Sequence, residues 1–275
     1  MRRALQRIRA YWNRSAMFRA GAVITGLVFF FILSGMICRS WPPTAMDATA
    51  RLSGFSAAHL LGTDHLGRDT YSRMVSGAGT TLFIAVGTVL IGALGGSVLG
   101  ALCGYFGGPA DEIIMRIVDA LFAFPSILLA LVFVSLFGSG RYHVIVALGI
   151  AFIPSFARTV RGEVIRERER DYVLSAGLHG ISPLRIIFLH ILPNTGDVLL
   201  SAVLIGFNNA VLAEAGLSFL GIGVQPPDAS LGRMLSESQQ YLFSAPLTAL
   251  MPGILLVLMI LGFSLLGEGV RSAGN

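Results

Sequence analysis

Six long apolar runs dominate the chain and are separated by shorter polar segments. They cover residues 20–38, 81–105, 117–137, 142–160, 198–220 and 246–266. Each run has about the 20 residues that a helix needs to cross a bilayer. The pattern therefore predicts an all-α integral membrane protein with six transmembrane helices. The fourth run is the weakest, because Pro154 and Ser155 interrupt it near one end.

Composition and the placement of charge extend this picture. Hydrophobic residues make up 54% of the chain and charged residues only 13%, whereas a soluble domain carries about 25% charged residues. All 20 residues of the Lys or Arg type are arginine. A cytosolic N-terminus places most of these arginines inside, as the positive-inside rule requires, so we expect both termini in the cytosol. The length of the first run disfavours a cleaved signal peptide.

These expectations divide the chain into one membrane domain and its loops. We predict a basic cytosolic tail at residues 1–19 and a transmembrane domain at 20–270. Two segments, about 39–80 and about 221–245, are expected on the outer side. A long charged loop, about 161–197, is expected in the cytosol.

The second apolar run contains glycines at a spacing of four residues. Gly92, Gly96, Gly100 and Gly104 follow this register, and Gly108 continues it. Residues four apart share one face of a helix, and a row of small residues lets another backbone approach closely. The spacing therefore predicts a helix-packing groove.

The third run carries a charge and a proline. Asp119 lies near its cytosolic end, three residues after Arg116, and we expect these two side chains to form an ion pair. Pro125 removes a backbone donor in mid-run and predicts a kinked helix, which would suit a gate.

The fifth run contains polar residues that are costly in hydrocarbon. Asn208, Asn209 and Glu214 fall within it, so they must face protein or water. We treat them as candidates for a translocation pathway. For Glu214 a second interpretation stays open, in which partner side chains satisfy it within the packed helices.

The charged loop predicts two short helices that meet at a glycine. Asp171 can cap a helix that starts at Tyr172, and Gly180 suits the left-handed conformation that ends a helix. Ser182 and Pro183 form an N-cap and first-turn pair for the next helix.

One face of the first short helix is nearly free of side chains. Tyr172, Ala176 and Gly180 are spaced four apart, with Val173 and Gly177 beside them. Such a surface suits insertion into a cleft of another protein, although an amphipathic helix on the lipid surface is an alternative.

At this point the sequence shows a family resemblance. The stretch DYVLSAGLHGISPLRIIFLHILPN, residues 171–194, resembles the EAA loop of ATP-binding-cassette (ABC) importer permeases. Leu174 and Ser175 depart from the family's usual Glu and Ala, whereas four positions match: Ala176, Gly180, Leu192 and Pro193. Three further stretches, LLGTDHLGRDTYSRMVSGAGTTL, DALFAFPSILLAL and LAEAGLSFLGIGVQPPDASLGRML, resemble the second permease subunit of dipeptide, oligopeptide and nickel importers.

The resemblance implies a function and a set of partners. The chain would be a permease subunit in the bacterial inner membrane that moves small peptides or nickel and other metal chelates by alternating access. It would work with a homologous second permease, two cytosolic ATP-binding subunits and a periplasmic or extracellular substrate-binding protein. Five residues would couple it to the ATPase: Tyr172, Ser175, Ala176, Gly177 and Gly180. The short chain and the GTDHLGRD stretch favour the nickel and metallophore members.

The chain lacks the residues for several other chemistries. A P-loop needs a lysine, and the sequence contains none, so ATP and Mg²⁺ are expected only on partner subunits. We expect no catalytic residue, no cofactor in this chain, no nucleic-acid partner and no metal site. His59, His65 and Asp69 in the outer segment are residues of the metal-ligating type, but such spacing in a solvated loop is usually incidental. An ion-driven secondary transporter is the alternative function, with Glu214 and Asp119 relaying protons.

Overall fold

The protein is a helical bundle, seen here in a computed structural model that describes residues 11–38 and 41–274. The predicted all-α fold is confirmed within these residues. The helices are α1 (Ala16–Cys38), α2 (Thr70–Phe106), α3 (Gly108–Phe122), α4 (Ser126–Phe137), α5 (Arg141–Arg168), α6 (Asp171–Leu178), α7 (Gly196–Phe219), α8 (Leu231–Ser238) and α9 (Leu247–Gly274). Between α6 and α7 lies a helical segment with π-helical turns at Ile186–Ile191, called here the 183–194 segment.

Within the described residues, five helices are long and apolar enough to cross a membrane. These are α1, α2, α5, α7 and α9. The third predicted span is not the single kinked helix that we expected, because α3 and α4 meet at an angle of 93°. Pro125 has no N–H group and disfavours a helical conformation at Phe124 before it, so the chain leaves the helix there. At 1.5 Å per residue, α3 and α4 measure about 22 and 18 Å, and neither alone crosses a bilayer core of about 30 Å.

The α3–α4 pair nevertheless joins opposite ends of the bundle. Helices α2 and α5 run parallel, because Gly87 in the middle of α2 lies against Ile145 near the beginning of α5, and Gly104 near the end of α2 lies against Val164 near the end of α5. The chain must therefore travel the length of the bundle between Phe106 and Arg141. The bent pair makes this passage, so it occupies the place of the predicted third crossing as a broken span.

The two ends of the bundle have different surroundings. At one end, called the α8 end, α2 begins beside the 41–69 segment and α8. At the other, called the α6 end, α2 and α5 finish beside α6. The Tyr11 hydroxyl donates to Asp197 over 3.1 Å and Ser15 contacts Ser272 over 3.4 Å, so the described parts of both termini lie at the α6 end. Residues 1–10 of the predicted basic tail lie outside the described residues.

Candidate functional site

The four predicted packing glycines all lie along the contact between α2 and α5. A methyl group added to Gly96 would lie 2.5 Å from Cβ of Phe156, and one added to Gly100 would lie 2.3 Å from the carbonyl oxygen of Ala157. Both distances are too short for real atoms, so any side chain would force the helices apart. The same crowding extends over Gly92, Gly96, Gly100 and Gly104. Gly108 does not share it, because it lies beyond the end of α2 and begins α3.

A cavity of about 560 Å³ lies between the α3–α4 bend, α5 and α7. The aromatic rings of Phe122 and Phe124 line it on the side of the bend. Its polar lining consists of four hydroxyl groups, one amide and one guanidinium, from Ser126, Ser155, Thr159, Ser201, Asn209 and Arg271. Among the described residues the lining includes no carboxylate. The cavity can therefore donate and accept hydrogen bonds, and its one formal charge is positive.

The structure separates the three predicted pathway residues. Asn209 lines the cavity. Asn208 instead faces α9, where its amide, in the orientation that satisfies both of its ends, donates to the Ile260 carbonyl over 3.0 Å and accepts from Ser264 over 3.1 Å. Glu214 is 0% exposed and lies outside the cavity lining. Of the three, only Asn209 is placed to contact a molecule in the cavity.

The partner predicted for Asp119 is wrong. Asp119 pairs with Arg158 of α5, and the Arg158 guanidinium also lies 4.4 Å from the centre of the Phe122 ring. Arg116 pairs with Glu112 one turn earlier at 2.6 Å. The crossing of α3 over α5 brings Arg158 within reach of Asp119, and this contact outweighs the neighbour in sequence. Both charged side chains of this pair lie beside the cavity's aromatic wall.

A second ion pair fastens the beginning of α3 to α5. The Arg161 guanidinium donates through Nε and Nη2 to the two carboxylate oxygens of Asp111, each over 2.7 Å. A two-point contact of this kind fixes orientation as well as distance. Helix α3 is therefore held to α5 at both of its ends.

Helix α6 begins one residue earlier than predicted and without the predicted cap. Asp171 is its first residue, Arg170 holds the N-cap position, and no side chain caps the helix. The predicted left-handed Gly180 is confirmed by its φ of 74°. Ser182 and Pro183 occupy the predicted N-cap and first positions of the next helix, but the Ser182 side chain makes no capping hydrogen bond.

Ala176, at the centre of the predicted small-residue face of α6, points inward rather than outward. Ala176 is 8% exposed, and with Val173 it packs on the apolar side chains of the 183–194 segment, so the predicted exposure of Ala176 is wrong. The opposite face is apolar and open: Leu174 is 56% exposed and Leu178 is 89% exposed. Ser175, Gly177 and Gly180 are also exposed.

Tyr172 belongs to the anchored side of α6. Its hydroxyl donates to Glu167 over 2.8 Å, which ties α6 to the end of α5. Burial raises the pKa of Tyr172, so the hydroxyl stays protonated and keeps donating. Helix α6 is thus a short element with a fixed inner face and a free apolar outer face.

Sequence reasoning missed a buried ion cluster at the α8 end. Glu237 accepts from Arg68 and from Arg73 over 2.8 Å each, and Arg233 lies 3.1 Å from its other oxygen. Asp64 pairs with Arg68 at 2.6 Å. These contacts join the 41–69 segment, α2 and α8. Arg68 and Glu237 are far apart in sequence, so no local spacing signalled the contact.

The same region brings three groups of the metal-ligating type within 4.8 Å of one another. They belong to Asp64, His65 and Glu237. Both carboxylates already contact guanidinium groups, which a cation would have to displace. His65 stacks on Tyr241 with ring centres 5.3 Å apart, and burial lowers its pKa. Of the three residues named from the sequence, His65 belongs to this group, whereas His59 and Asp69 contact each other at 3.0 Å.

The helix arrangement defines the class of protein: it has the fold of an ABC importer permease. A structure of the MetNI methionine ABC transporter in an inward-facing conformation matches with a TM-score of 0.61 over 73% of this chain and 96% of that chain, at 21% sequence identity. At this identity the match concerns the fold alone.

Sequence comparison gives the family. Residues 96–271 match the family described as binding-protein-dependent transport system inner membrane component. A dipeptide transport system permease protein of Alkalihalophilus pseudofirmus is 39% identical over 91% of this chain and 82% of its own length. A glutathione transport system permease protein of Pectobacterium atrosepticum is 40% identical over 96% and 89%. The chain belongs to this family and is a multi-pass permease subunit of an ABC importer in the bacterial inner membrane. Nothing in these comparisons favours the ion-driven alternative.

Proposed function

We propose that this subunit moves short peptides through the cavity beside the α3–α4 bend, and that separate ATPase subunits drive it by binding the exposed face of α6. The α6 end is then cytosolic and the α8 end faces the substrate-binding protein, as the placement of arginine predicts. A homologous second permease completes the pathway. ATP and Mg²⁺ act on the two ATPase subunits, and this chain holds no cofactor and performs no catalysis.

The two faces of α6 carry the coupling part of the proposal. Leu174 and Leu178 present apolar surface at a helix that Val173 and Ala176 hold to the rest of the chain. Buried apolar side chains at the centre of an interface supply much of its binding energy. When a bound ATPase subunit displaces α6, the contacts of Val173 and Ala176 transmit the displacement to the 183–194 segment. This segment leads directly into α7. The exposed Ser175, Gly177 and Gly180 stay candidates for the same contact.

Two observations support a peptide as the substrate. The relatives reported above are named for dipeptide and glutathione transport, and neither name refers to nickel. The cavity volume of about 560 Å³ falls in the range of small-molecule sites, roughly 300–1,000 Å³. Its hydroxyl and amide groups can bind peptide bonds. Arg271 brings a positive charge to the lining, and its exposed pair with Glu268 at 3.3 Å would give way to the carboxylate terminus of a peptide.

Replacing Leu178 with aspartate tests the proposal. Leu178→Asp puts a charge on the exposed face, where an interface would have to desolvate it, so we expect ATPase binding to fall about tenfold or more. Leu60→Asp is the matched control, since Leu60 is an exposed leucine at the α8 end. The measurements are co-purification of the ATPase subunits and uptake of a labelled dipeptide into reconstituted vesicles.

The outcomes separate coupling from substrate. Wild-type ATPase binding by Leu178→Asp would contradict the role of α6. Uptake of a nickel chelate but of no dipeptide by the unmodified transporter would contradict the substrate class while leaving α6 untouched. Ala176→Arg does not serve as a test of docking, because Ala176 packs within the chain and the substitution would disturb that packing first.

A further inference from the structure

Glu214 is a fully buried carboxyl group that the cavity does not use. It lies on α7 where this helix meets α2 and the connection that leads to α8. Its Oε2 accepts from the Thr81 hydroxyl of α2 over 2.8 Å, and its Oε1 accepts from the Ser218 hydroxyl one turn later on α7 over 2.6 Å. Among the described residues no arginine or histidine pairs with it. Hydroxyl groups alone thus satisfy a group that is costly to bury in a membrane.

The same two hydroxyl groups take part in a second set of contacts. The Leu231 N–H donates to Thr81 Oγ1 over 3.3 Å, and the Val224 N–H donates to Ser218 Oγ over 3.0 Å. Each hydroxyl has one proton, and its oxygen already accepts from a backbone amide. Each hydroxyl therefore bridges a backbone amide of the 224–233 stretch and one oxygen of the Glu214 carboxyl group.

A third hydroxyl shows the same arrangement. Ser230 Oγ accepts from the Arg233 N–H over 3.2 Å and lies beside the Glu214 carboxyl. The amides of Val224, Leu231 and Arg233 all belong to residues 224–233, which connect α7 to α8 and include the first turn of α8. Two chains of hydrogen bonds, called relays here, thus connect a backbone amide of that stretch through a hydroxyl group to the Glu214 carboxyl group, and the Ser230 hydroxyl lies beside them.

We propose that Glu214 is a positioning residue for transport, which fixes the 224–233 stretch to both α2 and α7 so that the surface at the α8 end moves together with α7. Helix α7 also carries Asn209 in the cavity lining and follows the 183–194 segment directly. A displacement of the α8 end, as when a binding protein docks, is then passed along α7 toward the cavity. This inference rests on the proposed orientation, in which the α8 end faces the binding protein, and does not depend on the peptide assignment.

Helix α2 offers a matched pair of threonines for the test. Thr81→Val removes one relay while keeping the shape of the side chain. Thr88 lies seven residues later on the same face of α2, is equally buried, and has a hydroxyl with no hydrogen-bond partner among the described residues. Thr88→Val is therefore the control, and Thr81→Ser, which keeps the hydroxyl, is the rescue.

Two measurements are made on the complete transporter in lipid nanodiscs. Hydrogen exchange reports the protection of the Leu231 amide, and the ratio of ATP hydrolysis with and without the binding protein reports communication across the membrane. For Thr81→Val we expect about tenfold faster exchange at 224–233 and a ratio that falls toward one. Thr88→Val and Thr81→Ser should match the unmodified chain in both.

Unchanged exchange in Thr81→Val would overturn the proposal, because the relay would not hold the stretch. Faster exchange with an unchanged hydrolysis ratio would also overturn it, because the contact would then be structural only. If Thr81→Val does not assemble, Ser218→Ala removes the other relay and is measured in the same way. Failure of both variants to assemble would assign Glu214 to folding and equally contradict a positioning role.

Discussion

The two halves of α2 are held to their neighbours in opposite ways. The first half, residues 70–81, makes contacts through polar side chains: Arg73 joins the ion cluster with Glu237, and Thr81 joins Glu214. The second half, residues 87–104, meets α5 through glycines whose missing side chains let the two backbones touch. One helix therefore combines specific electrostatic contacts at the α8 end with close packing through the rest of its length.

The difference teaches where each half is vulnerable. Close-packed helices gain stability from many weak contacts and tolerate no added atoms. Buried charges, by contrast, are costly unless every partner is present, and Arg73 is only 1% exposed. Adding a side chain should therefore disrupt the packing of the glycine half. Removing a charged partner should destabilise the polar half.

The largest effect is expected from adding a side chain to the glycine half. Gly96→Leu would place its Cβ 2.5 Å from Phe156 Cβ and 2.8 Å from backbone atoms of α5, so the helices must separate. We expect loss of the assembled transporter on native gels. Gly79→Leu is the control on the same helix, because nothing lies within 4 Å of a Cβ at Gly79. Equal assembly of the two variants would show that the glycine contact is not what holds α2 to α5.

A smaller effect is expected from removing a charge in the polar half. Glu237→Gln removes one of the two carboxylates that Arg68 and Arg73 share, and Asp64 remains, so we expect a loss of about 3 kcal/mol in the free energy of unfolding, the low end for a broken buried pair. Thermal unfolding of the purified protein measures this. Glu268→Gln, which breaks an exposed pair with Arg271, should cost about 0–1 kcal/mol. Similar shifts for the two variants would mean that the cluster at the α8 end is not a buried network in solution.

The sequence predicted the features that depend on periodicity and local geometry. Apolar runs located the spans, a four-residue spacing located the glycines along α5, and Gly180 adopted the expected left-handed conformation. Pro125 marked the break in the third run. The proline alone could not predict the angle of 93°, because that angle also depends on how α3 and α4 pack against α5.

Features that depend on distant partners could not be predicted in this way. Asp119 had a suitable neighbour in Arg116, yet the crossing of α3 and α5 gave it Arg158, 39 residues away. The inward orientation of Ala176 follows from the 183–194 segment, whose apolar side chains cover one face of α6. The spacing of small residues could not show that Ala176 is covered while Gly177 and Gly180 stay exposed.

The smallest expected effect concerns Arg168, where the comparison between the halves of α2 becomes sharper. The charged run at 166–170 predicts a solvated side chain of little consequence. The structure instead shows Arg168 Nη1 donating over 2.8 Å to the Tyr105 carbonyl oxygen, in the last turn of α2. Carbonyl groups at a helix end lack partners within the helix, and a cation there is favourable. The glycine half of α2 thus ends at a polar contact with Arg168 of α5.

Arg168→Gln should therefore lower the free energy of unfolding by about 1 kcal/mol and speed amide exchange in the last turn of α2. Arg166→Gln is the matched control, because Arg166 is largely exposed and its one ion pair among the described residues is with Glu163 of its own helix. We therefore expect a change of about 0–1 kcal/mol and no change of exchange in α2. Exchange measured by mass spectrometry separates the two variants even where their stabilities are close. If α2 exchanges alike in both, the second half of α2 is held by packing with α5 alone. If only Arg168→Gln loosens the last turn, close packing needs a polar contact at its end to stay in register, and the two halves of α2 differ in degree rather than in kind.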